Sequence, residues 1–155
     1  MKLVIQKTQE EFDAEVIQVE DSEFSVIKKS GQFKFDWTKE KQYQVFKIVS
    51  TIEDNEEIYG LISLMDVPKE MRIHISLIEN SNDNKGKSKR IDRVAGCLLA
   101  FAVKRSFEKG YLGFVSLVPK TELIELYVDK YGFSRYGMQL AIEREAAVQL
   151  IQKYL

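Results

Sequence analysis

The sequence contains a single cysteine and a single histidine among its 155 residues. One cysteine, Cys97, cannot close an internal disulfide, so we expect a reducing, cytoplasmic environment. One histidine and one cysteine also supply too few ligands for a zinc site, and no metal centre is predicted. With only two prolines and eight glycines, the composition indicates neither a disordered chain nor a fibrous repeat.

Long apolar runs are missing as well. The first residues, MKLVIQKTQEEF, hold only three consecutive apolar residues before polar ones return, too few for a secretory signal. No stretch approaches the roughly 20 apolar residues of a membrane span, so we expect no membrane association. An apolar fraction of 45% and a charged fraction of 30% are typical of globular proteins. The length predicts one domain, residues 1–155.

Positive charge is in slight deficit overall but is concentrated in one segment. The formal net charge is −1, yet residues 84–93 hold five basic residues and one acidic residue. The basic residues are Lys85, Lys87, Lys89, Arg90 and Arg93. This concentration indicates an anion site, with a solvated loop as the alternative. Nucleic-acid binding is disfavoured, because no aromatic residues are interleaved there and the rest of the chain is acidic.

The hydrophobic pattern predicts an α+β domain. Alternating and β-branched runs indicate strands, whereas apolar residues at helical spacing, followed by Gly110, make 94–109 the clearest helix. The predicted strands are 2–6, 14–19, 43–50, 58–65, 72–79, 113–118 and 138–142. The predicted helices are 23–30, 94–109, 121–131 and a terminal helix from 143. The runs 43–50, 58–65 and 72–79 are expected to form an antiparallel meander.

The basic segment lies between a strand and a helix. Strand 72–79, helix 94–109 and strand 113–118 form a β-α-β unit, so these strands are expected to be parallel neighbours joined by a crossover. The segment is then at the carboxyl end of a central strand, where open sheets most often hold ligands. The N–H groups at a helix start favour an anion there, above all a di- or polyphosphate.

This order of elements, with R-I-D-R-V-A-G at 90–96 and a later helix ending in Y-G-F, resembles the GNAT superfamily of acyl-CoA-dependent N-acyltransferases. The resemblance covers about residues 43–142. It implies a central mixed, mostly antiparallel sheet flanked by helices, with the β-α-β crossover at the cofactor loop. It implies acetyl-CoA as acyl donor, an amine acceptor, and a monomer or homodimer. A catalytically degenerate coenzyme-A-binding module remains the alternative, since Arg93 and Val128 replace motif residues.

The resemblance also implies how the cofactor is held. The family loop R/Q-x-x-G-x-G/A aligns with Arg90, Arg93 and Ala95, whose backbone lies at the start of the helix. The nearby lysines add charge, and the preceding strand contributes a backbone N–H. The implied cofactor-binding residues are Leu77, Lys85, Lys87, Lys89, Arg90, Arg93, Val94, Ala95 and Gly96.

Acyl transfer to an amine needs a base and an acid. In the family a carboxylate often serves as base, which makes Glu79, at the end of strand 72–79, the first candidate. His74 is the second and is expected on the opposite face by strand alternation; Asp66 is the third. For the acid we prefer Tyr127 to Tyr131, because the family's tyrosine position itself holds a valine.

Two further groups are candidates for ordinary packing. Cys97 lies on the apolar stripe of helix 94–109 and is predicted to be a core residue rather than a nucleophile. Phe33, Phe35 and Trp37 in QFKFDW either line a substrate pocket or, more commonly for such a group, pack a core.

Overall fold

The computed structural model describes residues 1–155. Its strands are β1 (Lys2–Ile5), β2 (Glu11–Gln18), β3 (Gln44–Ser50), β4 (Ile58–Val67), β5 (Arg72–Asn80), β6 (Ile91–Asp92), β7 (Val115–Leu117), β8 (Ser134–Tyr136) and β9 (Gln139–Ile142). Its helices are α1 (Glu23–Ser30), α2 (Val94–Glu108), α3 (Ile124–Tyr131) and α4 (Arg144–Tyr154). All strands belong to one sheet, in the order β6-β1-β2-β3-β4-β5-β7-β9-β8.

The predicted elements are present, each bounded within three residues of its predicted ends. β3, β4 and β5 form the expected antiparallel meander, and β5 pairs in parallel with β7. The mixed, mostly antiparallel α+β architecture is confirmed. Only β6 and β8 had no counterpart in the prediction. They are two and three residues long, too short for a periodic signal.

The parallel ladder between β5 and β7 is short. It contains three residue pairs and ends at Ile75 and Leu117, while β5 continues to Asn80. Because β4 and β7 are the only neighbours of β5, residues 76–80 have no strand partner on the β7 side. The edge of β5 that faces β7 therefore has no strand partner over residues 76–80, and we call this part of the sheet the β5–β7 wedge.

A β-bulge changes the faces of β5. The pairing of β4 with β5 shifts register and leaves Ser76 without a cross-strand partner. On either side of it, Met65 pairs with His74 and Leu61 pairs with Glu79. Because cross-strand partners share a face and residues 61 and 65 are an even number apart, His74 and Glu79 lie on the same face. The prediction that they lie on opposite faces was wrong, since simple alternation does not include a bulge.

Two hydrophobic cores lie on opposite faces of the sheet. The main core contains α2, α3 and α4, and Leu98 and Leu99 of α2 are fully buried within it; burial stabilises each by about 2 kcal/mol. The second core lies under α1 and consists of Val19, Phe24, Ile27, Trp37, Val45 and Leu61. None of the helices combines the length and the apolar character needed to cross a bilayer.

Candidate functional site

The first turn of α2 lies at the edge of the sheet where β5 ends. No side chain caps the helix, so the N–H groups of Val94, Ala95 and Gly96 have neither a side-chain acceptor nor an intrahelical one. Arg93, directly before them, has a φ of 76°, in the left-handed region that favours glycine. A helix start with free N–H groups carries partial positive charge and is suited to bind phosphate.

The basic side chains around this turn are mostly engaged in ion pairs within the chain. The pairs are Lys85–Glu79 (2.6 Å), Lys89–Asp92 (2.8 Å) and Arg90–Glu57. Lys87 makes none. Asp92 and Glu57 are substantially exposed, whereas Glu79 is buried. The ion pairs of Lys89 with Asp92 and of Arg90 with Glu57 are therefore weak and exchange readily for a stronger anion.

Arg93 is tied to the two chain termini. Its guanidinium donates hydrogen bonds to the carbonyl oxygens of Lys2 (3.1 Å) and Lys153 (2.8 Å) and lies 4.8 Å from the ring centroid of Tyr154. The same ring packs on the first turn of α2, where a Cβ on Gly96 would lie 2.2 Å from it. The glycine therefore makes room for Tyr154 at the end of α4.

Glu79 lies at the end of β5 and is 4% exposed. Its carboxylate accepts hydrogen bonds from the N–H groups of Lys34 (2.6 Å) and Phe35 (3.2 Å), from Trp37 Nε1 (2.9 Å) and from Lys85 Nζ (2.6 Å). Burial alone would raise the pKa of Glu79, but these donors outweigh it and hold the pKa below its usual value. The carboxylate thus anchors segment 34–37 to β5 and is a weak proton acceptor.

The two other candidate bases also have partners. His74 Nδ1 lies 2.8 Å from Ser116 Oγ and 3.0 Å from a guanidinium nitrogen of Arg72. Burial, and then the charge of Arg72, lower the pKa of His74, which favours the neutral ring. Asp66 accepts a hydrogen bond from the Tyr111 hydroxyl (2.8 Å) at the far end of β4. Neither lies among the residues that surround the Glu79 carboxylate.

The candidate acids lie on α3, in an aromatic cluster that reaches the first turn of α2. The ring centroid of Tyr127 is 5.9 Å from that of Tyr131, which is 6.2 Å from that of Tyr154. Burial raises the pKa of Tyr127 and of Tyr131, so both phenols stay protonated at neutral pH. The phenol oxygen of Tyr127 makes no hydrogen bond. Because Ser63 Oγ is the one fully buried side-chain oxygen or nitrogen without a hydrogen bond, the Tyr127 oxygen has some access to solvent.

Of the remaining candidates, Cys97 and Trp37 pack in the cores, whereas Phe33 packs against the second core and also lines a cavity beside α1. Cys97 is fully buried, and burial raises its pKa to about 11. Trp37 belongs to the second core, whereas Phe35 is 37% exposed under the ammonium group of Lys120. No group of three or more His, Cys, Asp or Glu side chains is placed to hold a metal ion.

One polar pair at the bulge had no signal in the sequence. Ser76 Oγ donates a hydrogen bond to Glu40 Oε1 at 2.7 Å. This contact joins the wedge to the segment that follows Trp37. The bulge exists only in the pairing of β4 with β5, so no pattern along the chain marks Ser76.

The protein resembles known proteins in its structure but not detectably in its sequence. No family model matches the sequence. No curated protein matches it either. Solved structures do match, although two acetyltransferases and a synthase among them share only 10–13% of their residues with this chain.

A spermidine N-acetyltransferase chimera from Vibrio cholerae and hSSAT superposes with a TM-score of 0.63 at 12% identity, covering 88% of this chain and 98% of the other. The ribosomal-protein-S18-alanine N-acetyltransferase from Escherichia coli gives 0.57 at 13% identity, covering 84% and 90%. N-acetylglutamate synthase from Neisseria gonorrhoeae, complexed with coenzyme A and L-arginine, gives 0.64 at 10% identity; the match covers 86% of this chain but 34% of that one. The chain therefore has the fold of N-acetyltransferases, which confirms the fold that the resemblance to the GNAT superfamily implied.

Proposed function

We propose that the protein is a GNAT-type N-acetyltransferase that uses acetyl-CoA as acyl donor and an amine as acceptor. The observation that carries the proposal is the position of the β5–β7 wedge, at the carboxyl end of β5, next to the uncapped first turn of α2. A wedge with unpaired strand edge can accept an extended ligand by backbone hydrogen bonds, while the helix start binds its phosphates.

In this proposal, the loop before α2, the first turn of α2 and strand β5 bind acetyl-CoA. The N–H groups of Val94, Ala95 and Gly96 bind phosphate, and the loop side chains Lys85, Lys87, Lys89, Arg90 and Arg93 surround it with positive charge. Leu77 lies on the part of β5 that has no strand partner on the β7 side, where a backbone N–H can polarise a carbonyl group. Acetyl-CoA supplies a thioester, whose acetyl group passes to the amine with release of a thiol.

Proton transfer is assigned to Glu79 and Tyr127. In this proposal Tyr127 donates a proton to the departing sulfur, since its raised pKa keeps the phenol protonated. Glu79 accepts the proton of the amine, but its four donors make it a weak base. Most of the rate acceleration would then come from holding amine and thioester together.

Binding of acetyl-CoA is tested by thermal denaturation. A ligand at 100 times its Kd adds about 2.7 kcal/mol of stability, so acetyl-CoA should raise the unfolding temperature of the wild type. Ala95→Glu should weaken binding of acetyl-CoA at least about tenfold, because its carboxylate repels phosphate at the helix start. Ala95 is partly buried against the main core, so the unfolding temperature of each variant without ligand is measured as the control for folding. Ala95→Gln is the matched control and should bind nearly normally.

Three results decide the proposal. No thermal shift at millimolar acetyl-CoA would rule out both coenzyme-A functions. If Ala95→Glu and Ala95→Gln bind acetyl-CoA with equal affinity, the phosphate does not bind at the start of α2. Thiol release during incubation with amines then separates an enzyme from a binding protein.

A coenzyme-A-binding module without turnover is the second candidate. It is favoured by Asp92, whose carboxylate accepts a hydrogen bond from the Arg93 N–H beside the first turn of α2, and by the contacts of Arg93 with the chain termini. Binding of acetyl-CoA without thiol release for any amine would select this candidate.

A further inference from the structure

A cavity of about 500 Å³ opens on the α1 side of the sheet. Its wall includes Ile27 of α1, Phe33 and Ile58. These three side chains belong to the second core or pack directly against it. The cavity therefore has a firm apolar wall, of a size that commonly holds a small molecule.

The rim of the cavity is acidic. Glu56, Glu57 and Asp83 contribute carboxylates, and Arg90 contributes the one cation among the lining residues. Arg90 pairs with Glu57, whereas Glu56 and Asp83 make no ion pair. Two carboxylates at the rim thus have no compensating charge. A ligand that complements both parts of this cavity carries an apolar body and a positive charge.

We propose that this cavity binds an organic amine, with its alkyl body on the apolar wall and its ammonium group at the rim, and that Arg90 links its occupancy to the phosphate-binding loop. The second clause rests on the proposed function. Arg90 is shared, because it pairs with Glu57 at the rim and belongs to the segment that leads into α2. An ammonium group beside Glu57 competes with Arg90 and releases it toward the phosphates. By linkage, acetyl-CoA then raises the affinity for the amine by the same factor.

The ligand class is tested by calorimetry with n-alkylamines in the absence of acetyl-CoA. Hexylamine is expected to bind, and longer chains are expected to bind up to about fourfold more tightly per buried methylene. Hexanoate, which has a similar body and the opposite charge, is expected not to bind. The proposal is overturned if hexanoate binds as tightly as hexylamine. It is also overturned if no amine binds at millimolar concentration.

The location is tested with surface variants. The double variant Glu56→Gln with Asp83→Asn should weaken hexylamine binding about three- to tenfold, and the loss should shrink at high salt. Glu53→Gln is the matched control, because it removes a nearby acidic charge that does not line the cavity. All three positions are exposed, so unfolding temperatures should not change. Equal weakening by Glu53→Gln would overturn the location.

Arg90→Ala tests the link. Without acetyl-CoA it should tighten hexylamine binding severalfold, because it removes the rim's one cation. Coenzyme A, which carries the same phosphates as acetyl-CoA but has no acetyl group to transfer, should tighten hexylamine binding to the wild type and have no such effect on Arg90→Ala. Acetyl-CoA binding without amine binding refutes this inference alone. Amine binding without acetyl-CoA binding refutes the proposed function and the link but supports the amine site.

Discussion

Replacement of Glu79 by glutamine tests a buried carboxylate that accepts four hydrogen bonds. The carboxylate is 4% exposed and accepts hydrogen bonds from four donors, three of them in segment 34–37. Glutamine has the same shape but no charge, and its amide group replaces one acceptor oxygen by a donor. Two of the four donors therefore meet an N–H₂ group instead of an oxygen.

The expected loss of stability in Glu79→Gln follows from the number of hydrogen bonds that the carboxylate accepts. A hydrogen bond to a charged group contributes about 1.5–3 kcal/mol. Lys85 is partly exposed, with 36% of its side chain accessible, and can turn to water, so its contribution is small. One buried donor is left without an acceptor and the remaining bonds are weaker. We expect Glu79→Gln to lower the free energy of unfolding by about 2–4 kcal/mol, or the unfolding temperature by about 4–15 °C.

The loss should depend on pH in one direction. The pKa of Glu79 is lowered in the folded protein, so the carboxylate stabilises the fold above its unfolded pKa of about 4.3, and this contribution is lost as the pH falls through the folded pKa. Urea unfolding of wild type and Glu79→Gln across the pH range should show a constant gap above about pH 5.5 that narrows below about pH 4.

Two controls make the result specific. Glu15→Gln changes an exposed strand glutamate and should alter stability by less than about 0.5 kcal/mol. Trp37→Phe removes one donor to Glu79, and the double variant should be less destabilised than the sum of the single ones. A Glu79→Gln variant as stable as the wild type, or a gap that persists unchanged in acid, would refute the anchoring role.

Three further predictions concern buried or half-buried groups. Gly96→Ala should cost about 1–3 kcal/mol in urea unfolding, because its Cβ would lie 2.2 Å from the Tyr154 ring; Tyr154→Leu should recover part of the loss, and additive losses would contradict the contact. His74 should titrate by NMR below 6.5, so its stabilising contribution is present above about pH 6.5 and is lost as the pH falls through the folded pKa; Arg72→Gln should raise the midpoint, and a wild-type midpoint above 6.5 would contradict the packing. Cys97, with its pKa raised to about 11, should react with a thiol reagent at pH 8 only as fast as the chain unfolds; rapid labelling of the native protein would show that it is accessible.

The elements of the fold could be predicted because their signals are local. The apolar spacing of α2 and the alternation within β3, β4 and β5 are properties of neighbouring residues. The left-handed conformation of Gly132, with a φ of 85° at the end of α3, likewise follows from residue type. The position of the basic loop, residues 84–93, followed as well, because a β-α-β unit places it at one edge of the sheet.

The candidate site could be predicted less fully, because its details depend on contacts between distant residues. Glu79 and Lys34 are 45 positions apart, and Arg93 and Lys2 are 91 apart. Whether a loop lysine forms an ion pair, as Lys85 does with Glu79, or forms none, as with Lys87, is likewise decided by contacts in the folded chain and not by composition. The bulge at Ser76 likewise arises from the pairing of two strands, and it turns Glu79 to the face opposite to the one that alternation from Ile75 predicts.

The sequence by itself determined the kind and order of the elements and the place where positive charge meets a helix start, since residues that are neighbours in the chain carry that information. Only the tertiary structure decided that the β5–β7 ladder ends early, that Glu79 is saturated with donors, and that Arg90 of the basic loop also lines an acidic cavity. The physical reason is range: propensity and periodicity act over a few residues, whereas strand register, ion pairing and cavity shape depend on side chains brought together by the whole fold.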